Sequence, residues 1–298
     1  MPMEIDRKEL KRMAKESMSL SNPSFWIVTL VYILMTTGVS AVADFAPGML
    51  AAFLSIALTL YGWVVGFSYR LWALWTARRL EPGLGSLMDG FSVAGRVIML
   101  ELSIIVRTFG WCLMLILPIT LLHAAALVMA AMNPVAITVV YVMMLMAVVL
   151  VVNVIVLRYS LSYYVLADYP DLGPGIALAH SVRLAKGWVW ELVKLHLSFA
   201  GWYILSFALS AIGMSVGDLI TGGVALSGIL AAGPEMSAQV SALITSPVPA
   251  LLGSLFALPV TLYFTPYLEV TLAHFYEARI HLPDNVADPM AGMKMPPL

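Results

Sequence analysis

The chain has 298 residues, 61% of them hydrophobic and 11% charged, with a formal net charge of −1 and a mean hydropathy of +0.93. Soluble domains carry about 25% charged residues, so a water-soluble globule is excluded, and the near-neutral balance gives no sign of a nucleic-acid partner. The lone Cys112 excludes an internal disulfide and every cysteine-based metal cluster, and it reads as a small buried apolar side chain.

Residues 1–22 predict an amphipathic helix. Asp6 and Glu9 have the spacing of a capping box, and Leu10, Met13 and Ala14 form an apolar patch. Its basic residues are nearly balanced by acidic ones, which favours a solvated or bundle-docking helix over a lipid sensor. Ser40-Ala41-Val42-Ala43 before Asp44 looks faintly like a signal cleavage site. The polar stretch ahead of Phe25 is too long for a signal peptide, however, and the run from Phe25 to Val42 is long enough to span, so it reads as a retained span.

A bilayer core takes about 20 apolar residues of helix. Six runs reach that length, near residues 24–43, 49–75, 98–127, 134–160, 190–217 and 248–272. With no water to satisfy the backbone, each must be helical. The fold class is therefore all-α: a polytopic bundle of about six transmembrane helices plus an amphipathic helix on the cytoplasmic side. Residues 23–281 form the membrane domain and 282–298 a flexible cytoplasmic tail.

Lys and Arg occupy alternate connections. Arg7, Lys8, Lys11, Arg12 and Lys15 precede the first span; Arg78, Arg79 and Arg96 follow the second; Arg158, Arg183, Lys186 and Lys194 follow the fourth; Arg279 and Lys294 follow the sixth. The other connections have none. The positive-inside rule then puts both termini in the cytoplasm. The fifth connection contains GGVALSGILAAG, which is too short and glycine-rich to span and reads as an outer loop or a re-entrant segment.

Residues 161–188, LSYYVLADYPDLGPGIALAHSVRLAKGW, interrupt the apolar pattern. Pro170 ends the preceding helix, Asp171 is placed to cap the next, and Pro174 fits its first turn. Ile176, Ala179, Val182 and Leu184 give an apolar stripe, and Gly187 is placed as a left-handed cap. The piece reads as a short helix near 174–187 lying in the cytoplasmic interface, with Trp188 and Trp190 opening the next span. A plain connection is the competing reading.

YVLADYPDLGP, ALAHSVRLAKGWVWELVKLHLSFAGW and TPYLEVTLAHFYE resemble the bacterial membrane-protein family known as domain of unknown function 975. The matching positions are Asp168 and Pro170; Ser181, Arg183, Lys186 and Gly187; Ser198, Phe199, Gly201 and Trp202; Pro266, Tyr267, Phe275 and Tyr276. The third and fourth spans are longer and more apolar than the family pattern. The resemblance implies a multi-span protein of the bacterial cytoplasmic (inner) membrane, and it implies no substrate or reaction.

Ionisable residues within spans are functional candidates by default. Arg70 and Arg107 stand out, with Glu269 and Glu101 as natural partners. Arg70–Glu269 or Arg107–Glu101 pairs either hold the bundle together or line a polar cavity, and either arginine can instead snorkel to the headgroups. Pro259 and Pro266 bend the last span and can mark a broken helix. Gly62-x-x-x-Gly66 and Gly213-x-x-x-Gly217 permit close helix approach, within the bundle rather than between chains. Asp168 with Asp171 reads as a turn and a cap rather than a metal clamp. No catalytic, nucleotide, metal or cofactor motif occurs, so an enzyme is not expected.

Two readings follow. One is an accessory protein whose cytoplasmic face (the N-terminal helix, Ser181–Gly187 and the Tyr267–Tyr276 end) docks a protein partner or lipid headgroups. The other is a carrier or exporter of a small or amphipathic solute, with Arg70, Arg107 and Glu269 on the path. Asp168, Trp202 and Tyr276 join the candidate binding residues. Oligomeric state is not legible.

Overall fold

A computed structural model describes residues 6–40, 48–130, 134–171, 173–221 and 247–281. The expected outer-loop segment at 222–246 and the tail at 282–298 lie outside them. The described residues are helical, with no strand among them. Among the described residues these helices run in chain order, with a 3-10 turn at Gly90–Val93 between α4 and α5: α1 Arg7–Ser19, α2 Phe25–Gly38, α3 Gly48–Ala77, α4 Ser86–Asp89, α5 Ala94–Ala130, α6 Pro134–Leu157, α7 Ser162–Asp168, α8 Pro174–Ala185, α9 Val189–Leu197, α10 Ala200–Thr221 and α11 Pro247–Ile280.

Among the described residues five helical stretches are long and apolar enough to cross a membrane: Gly48–Ala77, Ser86–Leu121, Met146–Asp168, Ala200–Ile220 and Val248–Ile280. The first expected span is seen as Phe25–Gly38, which is shorter than that. Its expected continuation to residue 43 falls outside the described residues. This is the build of a membrane protein, an all-α bundle.

Two boundaries differ from the sequence reading. The run 190–217 is not one helix: α9 stops at Leu197, a turn at Ser198–Phe199 intervenes, and α10 starts at Ala200. Ser198 explains the break, since its hydroxyl turns back to the Leu195 carbonyl (2.5 Å) and competes with the helix ladder. The last helix is also unbroken, running through Pro259 and Pro266 as one element.

Burial is unequal along the bundle. One end exposes large apolar side chains, among them Phe53 and Ile56 on α3, Leu113 and Met114 on α5, Phe207 on α10 and Leu255 on α11. The other end holds the core, where α1 and the ends of α3, α7, α8, α9 and α11 converge around Trp72, Leu161, Val165, Leu178, Phe199 and Phe275. At this end α1 buries Leu10, Ala14, Ser17 and Met18 against α11, so it docks on the bundle. Met13, expected in its apolar patch, is exposed. Asp6 caps α1 by accepting from the Lys8 amide (2.9 Å), whereas Glu9 bonds Arg12 instead of closing a capping box.

The α10–α11 pairing is the most extensive, and small residues explain it. A Cβ at Gly213 would meet the Leu252 carbonyl oxygen at 2.4 Å, and one at Gly217 would meet Pro249 Cα at 2.5 Å. Gly62 and Gly66 face open space, so that motif is not used for packing among the described residues. Accordingly, Gly213→Val or Gly217→Val is expected to destabilise the protein by about 1–3 kcal/mol through overpacking. Gly62→Ala is expected to leave thermal unfolding in detergent unchanged or slightly raised.

Candidate functional site

The local chemistry that builds the polar end starts where α3 stops. Leu80 N–H bonds to the Trp75 carbonyl (2.9 Å) and Arg79 N–H to that of Thr76 (3.1 Å), the paired bonds of a Schellman turn. Arg79 takes the left-handed position usually given to glycine (φ 59°). It is held from α1, where Glu16 accepts from its guanidinium at 2.6 Å.

This turn fixes Arg78, which binds two other helix ends. Its guanidinium donates twice to Asp168 at the end of α7 (2.6 and 2.8 Å) and, through Nε, to Glu277 on α11 (2.6 Å). Tyr276 O–H donates to the same Asp168 (2.8 Å) and its ring stacks on Tyr164. Burial opposes the charge on Arg78, but the hydrogen bonds and charges of Asp168 and Glu277 outweigh it and hold its pKa above the ordinary value. All three charged groups are mostly buried. The cluster is a three-helix ionic clamp with its donors and acceptors matched.

About two turns deeper along α3 lies a pocket of about 280 Å³. Arg70 lies over the Tyr163 ring at 3.9 Å, with its Nε 3.7 Å from Glu269 Oε1. Tyr164 O–H donates to the other carboxylate oxygen of Glu269 (3.1 Å). Glu101 stands close to both Arg70 and Tyr163. The rest of the wall mixes tyrosines, Asn153 and His196 with apolar side chains.

The other sequence-predicted residues divide. Ser181 is buried and donates to the Arg158 carbonyl (2.8 Å), fastening α8 to the end of α6. Tyr267 is buried against Phe199, with ring centroids 5.1 Å apart, and Trp202 packs on Tyr263. Arg183 and Lys186 are exposed on α8. Arg107 is exposed on α5, lies outside the pocket and makes no ion pair with Glu101 among the described residues. The structure thus joins Arg70 to Glu269, joins Asp168 to Tyr276, and leaves Arg107 apart.

On α8 the expected stripe faces the other way. Ala177, Leu178, Ser181 and Ala185 are the buried face, while Ile176 and Val182 are exposed. Asp171 does not cap the helix: Gly173 does, with Pro174 in the first turn. Asp171 is exposed near Arg96, whose guanidinium also bonds the Pro170 carbonyl. Gly187 takes the left-handed conformation expected of it (φ 81°).

Helix α1 closes the underside. Lys11 Nζ donates to the Ser198 carbonyl (2.9 Å) and sits 4.0 Å from the centre of the Phe199 ring. Burial, with the charges of Lys15 and Arg7, pushes its pKa below the ordinary value. Ser17 bonds the buried His274 (3.0 Å).

Among the described residues no group of three His, Cys, Asp or Glu side chains is arranged to hold a metal ion. Sequence reasoning passed over Arg78 and Glu277 as site residues, because Arg78 was absorbed into the count of interfacial cations. It passed over Tyr163 and Tyr164 because a phenol in a span reads as belt or filler. The usable signal was Asp168, a carboxylate at a helix end that needs a cation.

The family described as "Protein of unknown function (DUF975)" matches residues 1–281. The chain belongs to this family. No curated protein and no solved structure matches it. The DUF975 match takes in every described element, so the clamp and the pocket both fall within the family's region.

If the clamp holds the three helix ends together, removing one partner strands a mostly buried charge. Arg78→Ala or Asp168→Asn is expected to cost about 2–4 kcal/mol. The exposed Arg79–Glu16 pair should contribute under about 1 kcal/mol. Double-mutant cycles on unfolding in detergent measure both.

Proposed function

We propose that this DUF975 protein is a non-enzymatic accessory protein of the bacterial cytoplasmic membrane. Its polar end faces the cytoplasm and docks a protein partner or lipid headgroups. One observation carries the reading: among the described residues Lys and Arg gather at one end, with the acidic Asp218 an exception at the far end of α10. Residues 48–69, 108–157, 199–217 and 247–268 contain no Asp, Glu, Lys or Arg. A solute path needs polar groups along its length, whereas docking needs them gathered at one level.

Helix α8 supplies the docking face. Its inner side is fastened to the bundle by Ser181, and its outer side presents Ile176 and Val182 with the exposed cations Arg183 and Lys186. Apolar side chains beside cations form the usual face of a helix at a lipid–water boundary.

A second reading, a carrier or exporter of an amphipathic solute, draws support from the pocket at Arg70 and Glu269. It loses Arg107 from its path, because that side chain lies on the outer surface away from the pocket.

Orientation is checked by thiol labelling in a Cys112→Ser background. Asp44→Cys should react with an impermeant reagent in intact cells, and Lys186→Cys only after permeabilisation. The reverse pattern would put the docking face outside the cytoplasm. The face itself is checked with Arg183→Glu plus Lys186→Glu in the full-length protein. A co-purifying protein or retained phospholipid, identified by mass spectrometry, should fall several-fold while thermal unfolding stays unchanged. Unaltered recovery of both removes the docking role.

A further inference from the structure

We infer that the pocket at Arg70 holds the headgroup of a zwitterionic phospholipid, with the phosphate on Arg70 and a primary ammonium on Glu269. The inference rests on the reading that this end of the bundle meets headgroups, and it names the chemistry of a site that reading leaves open.

Arg70 is oriented but not consumed. Its ring contact with Tyr163 fixes the guanidinium plane, yet among the described residues it makes no hydrogen bond, and its closest approach to a carboxylate oxygen is 3.7 Å. Five N–H donors in a fixed fork suit an oxyanion. Arg78 shows the contrast, since two carboxylates occupy its donors at 2.6–2.8 Å.

Glu269 is half used. One oxygen accepts from Tyr164, while Oε1 has only the long contact with Arg70. The same pocket therefore offers a guanidinium edge and a carboxylate oxygen side by side. Charge decides what fits. One guanidinium faces two carboxylates, Glu269 and the nearby Glu101, so a purely anionic headgroup meets net repulsion. A purely cationic one meets Arg70. A phosphate carrying an ammonium satisfies both. Tyr159 and Tyr203 also line the pocket, and aromatic rings suit a cation. The free carboxylate oxygen needs an N–H donor, which selects a primary ammonium over a trimethylated one.

Position decides what carries the headgroup. Ile104, Leu157, Leu268 and Leu272 line the other wall, and Val156 at the edge is exposed on the apolar flank of α6. At about 280 Å³ the pocket is at the small end of ligand sites (~300–1,000 Å³). It has room for a headgroup, with the acyl chains lying outside along exposed apolar helix.

The test uses delipidated full-length protein in detergent, titrated with phosphatidylethanolamine, phosphatidylcholine, phosphatidylglycerol and free phosphoethanolamine. Lipid retention is read by native mass spectrometry and stability by thermal unfolding. Phosphatidylethanolamine should bind about tenfold more tightly than the other two lipids and raise the unfolding temperature. Arg70→Gln should weaken it about tenfold. Glu269→Gln should erase the preference for ethanolamine over choline. Val156→Trp, an exposed change at the pocket edge, should reduce retention even if Arg70→Gln fails to fold. Free phosphoethanolamine should not displace the lipid. Tight binding of the free headgroup, or equal retention of all three lipids by the wild type and Val156→Trp, overturns the assignment. Arg183→Glu with Lys186→Glu, whatever it does to total retained lipid, should leave the preference for phosphatidylethanolamine over phosphatidylcholine intact, whereas Glu269→Gln should remove it, so failure of the α8 docking face and failure of the pocket are separately visible.

Discussion

The length of three helices governs everything else in this structure. A hydrocarbon slab accommodates about 20 residues of helix; α3 has 30, α5 has 37 and α11 has 34. At about 1.5 Å per residue, the surplus emerges well beyond the apolar boundary. Emerging helix in a polar medium must bury its apolar side chains against something other than lipid. The short helices α1, α4, α7, α8 and α9 serve that need, which is why the buried core lies at one end while the other keeps its apolar side chains outward.

The two arginines of α3 show how that end is partitioned. Arg78 sits where the helix stops, within reach of two other helix ends, and its charge is neutralised by Asp168 and Glu277 with close to ideal geometry. Such a group holds the structure, its guanidinium already engaged by two carboxylates. Arg70 lies about two turns deeper, between a phenol face and a distant carboxylate. Its donors are aimed but unspent. The closed ion pairs and the pocket therefore fall to different arginines of one helix.

How much of this was legible in the sequence depended on the range of the interaction. The helical class, the run boundaries in α3 and α6, the start of α11, the helix near 174–187 and the left-handed Gly187 follow from local pattern, and the structure agrees; α11 runs on to Ile280, past the expected end near 272. The face of α8 did not follow, because an apolar stripe on an interfacial helix can turn inward or toward lipid. Ile176 and Val182 turn outward, and Ala177 and Leu178 fill the inner position. The break at Ser198 was missed because hydropathy averages over a single hydroxyl. The Arg70–Glu269 meeting was anticipated from cost alone, since two buried ionisable groups at similar depth seek each other. Arg78 with Asp168, Glu277 and Tyr276 was not, because these charges stand at helix ends, where a cation reads as interfacial and carries no burial cost that demands a partner.

The positions that carry the family pattern bear on what kind of function a DUF975 protein can have. Asp168 and Tyr276 belong to the clamp, Ser181 fastens α8, Gly187 turns the chain, and Phe199 packs on Tyr267. These residues shape and hold the polar end. A pattern that preserves the architecture of one face is what a docking protein requires, since its partner reads shape and charge at that face. A carrier would need the pattern to extend along a path between the two sides. The exposed cations of the pattern, Arg183 and Lys186, fit the same argument, because a charge at the surface is positioned to meet something outside the chain.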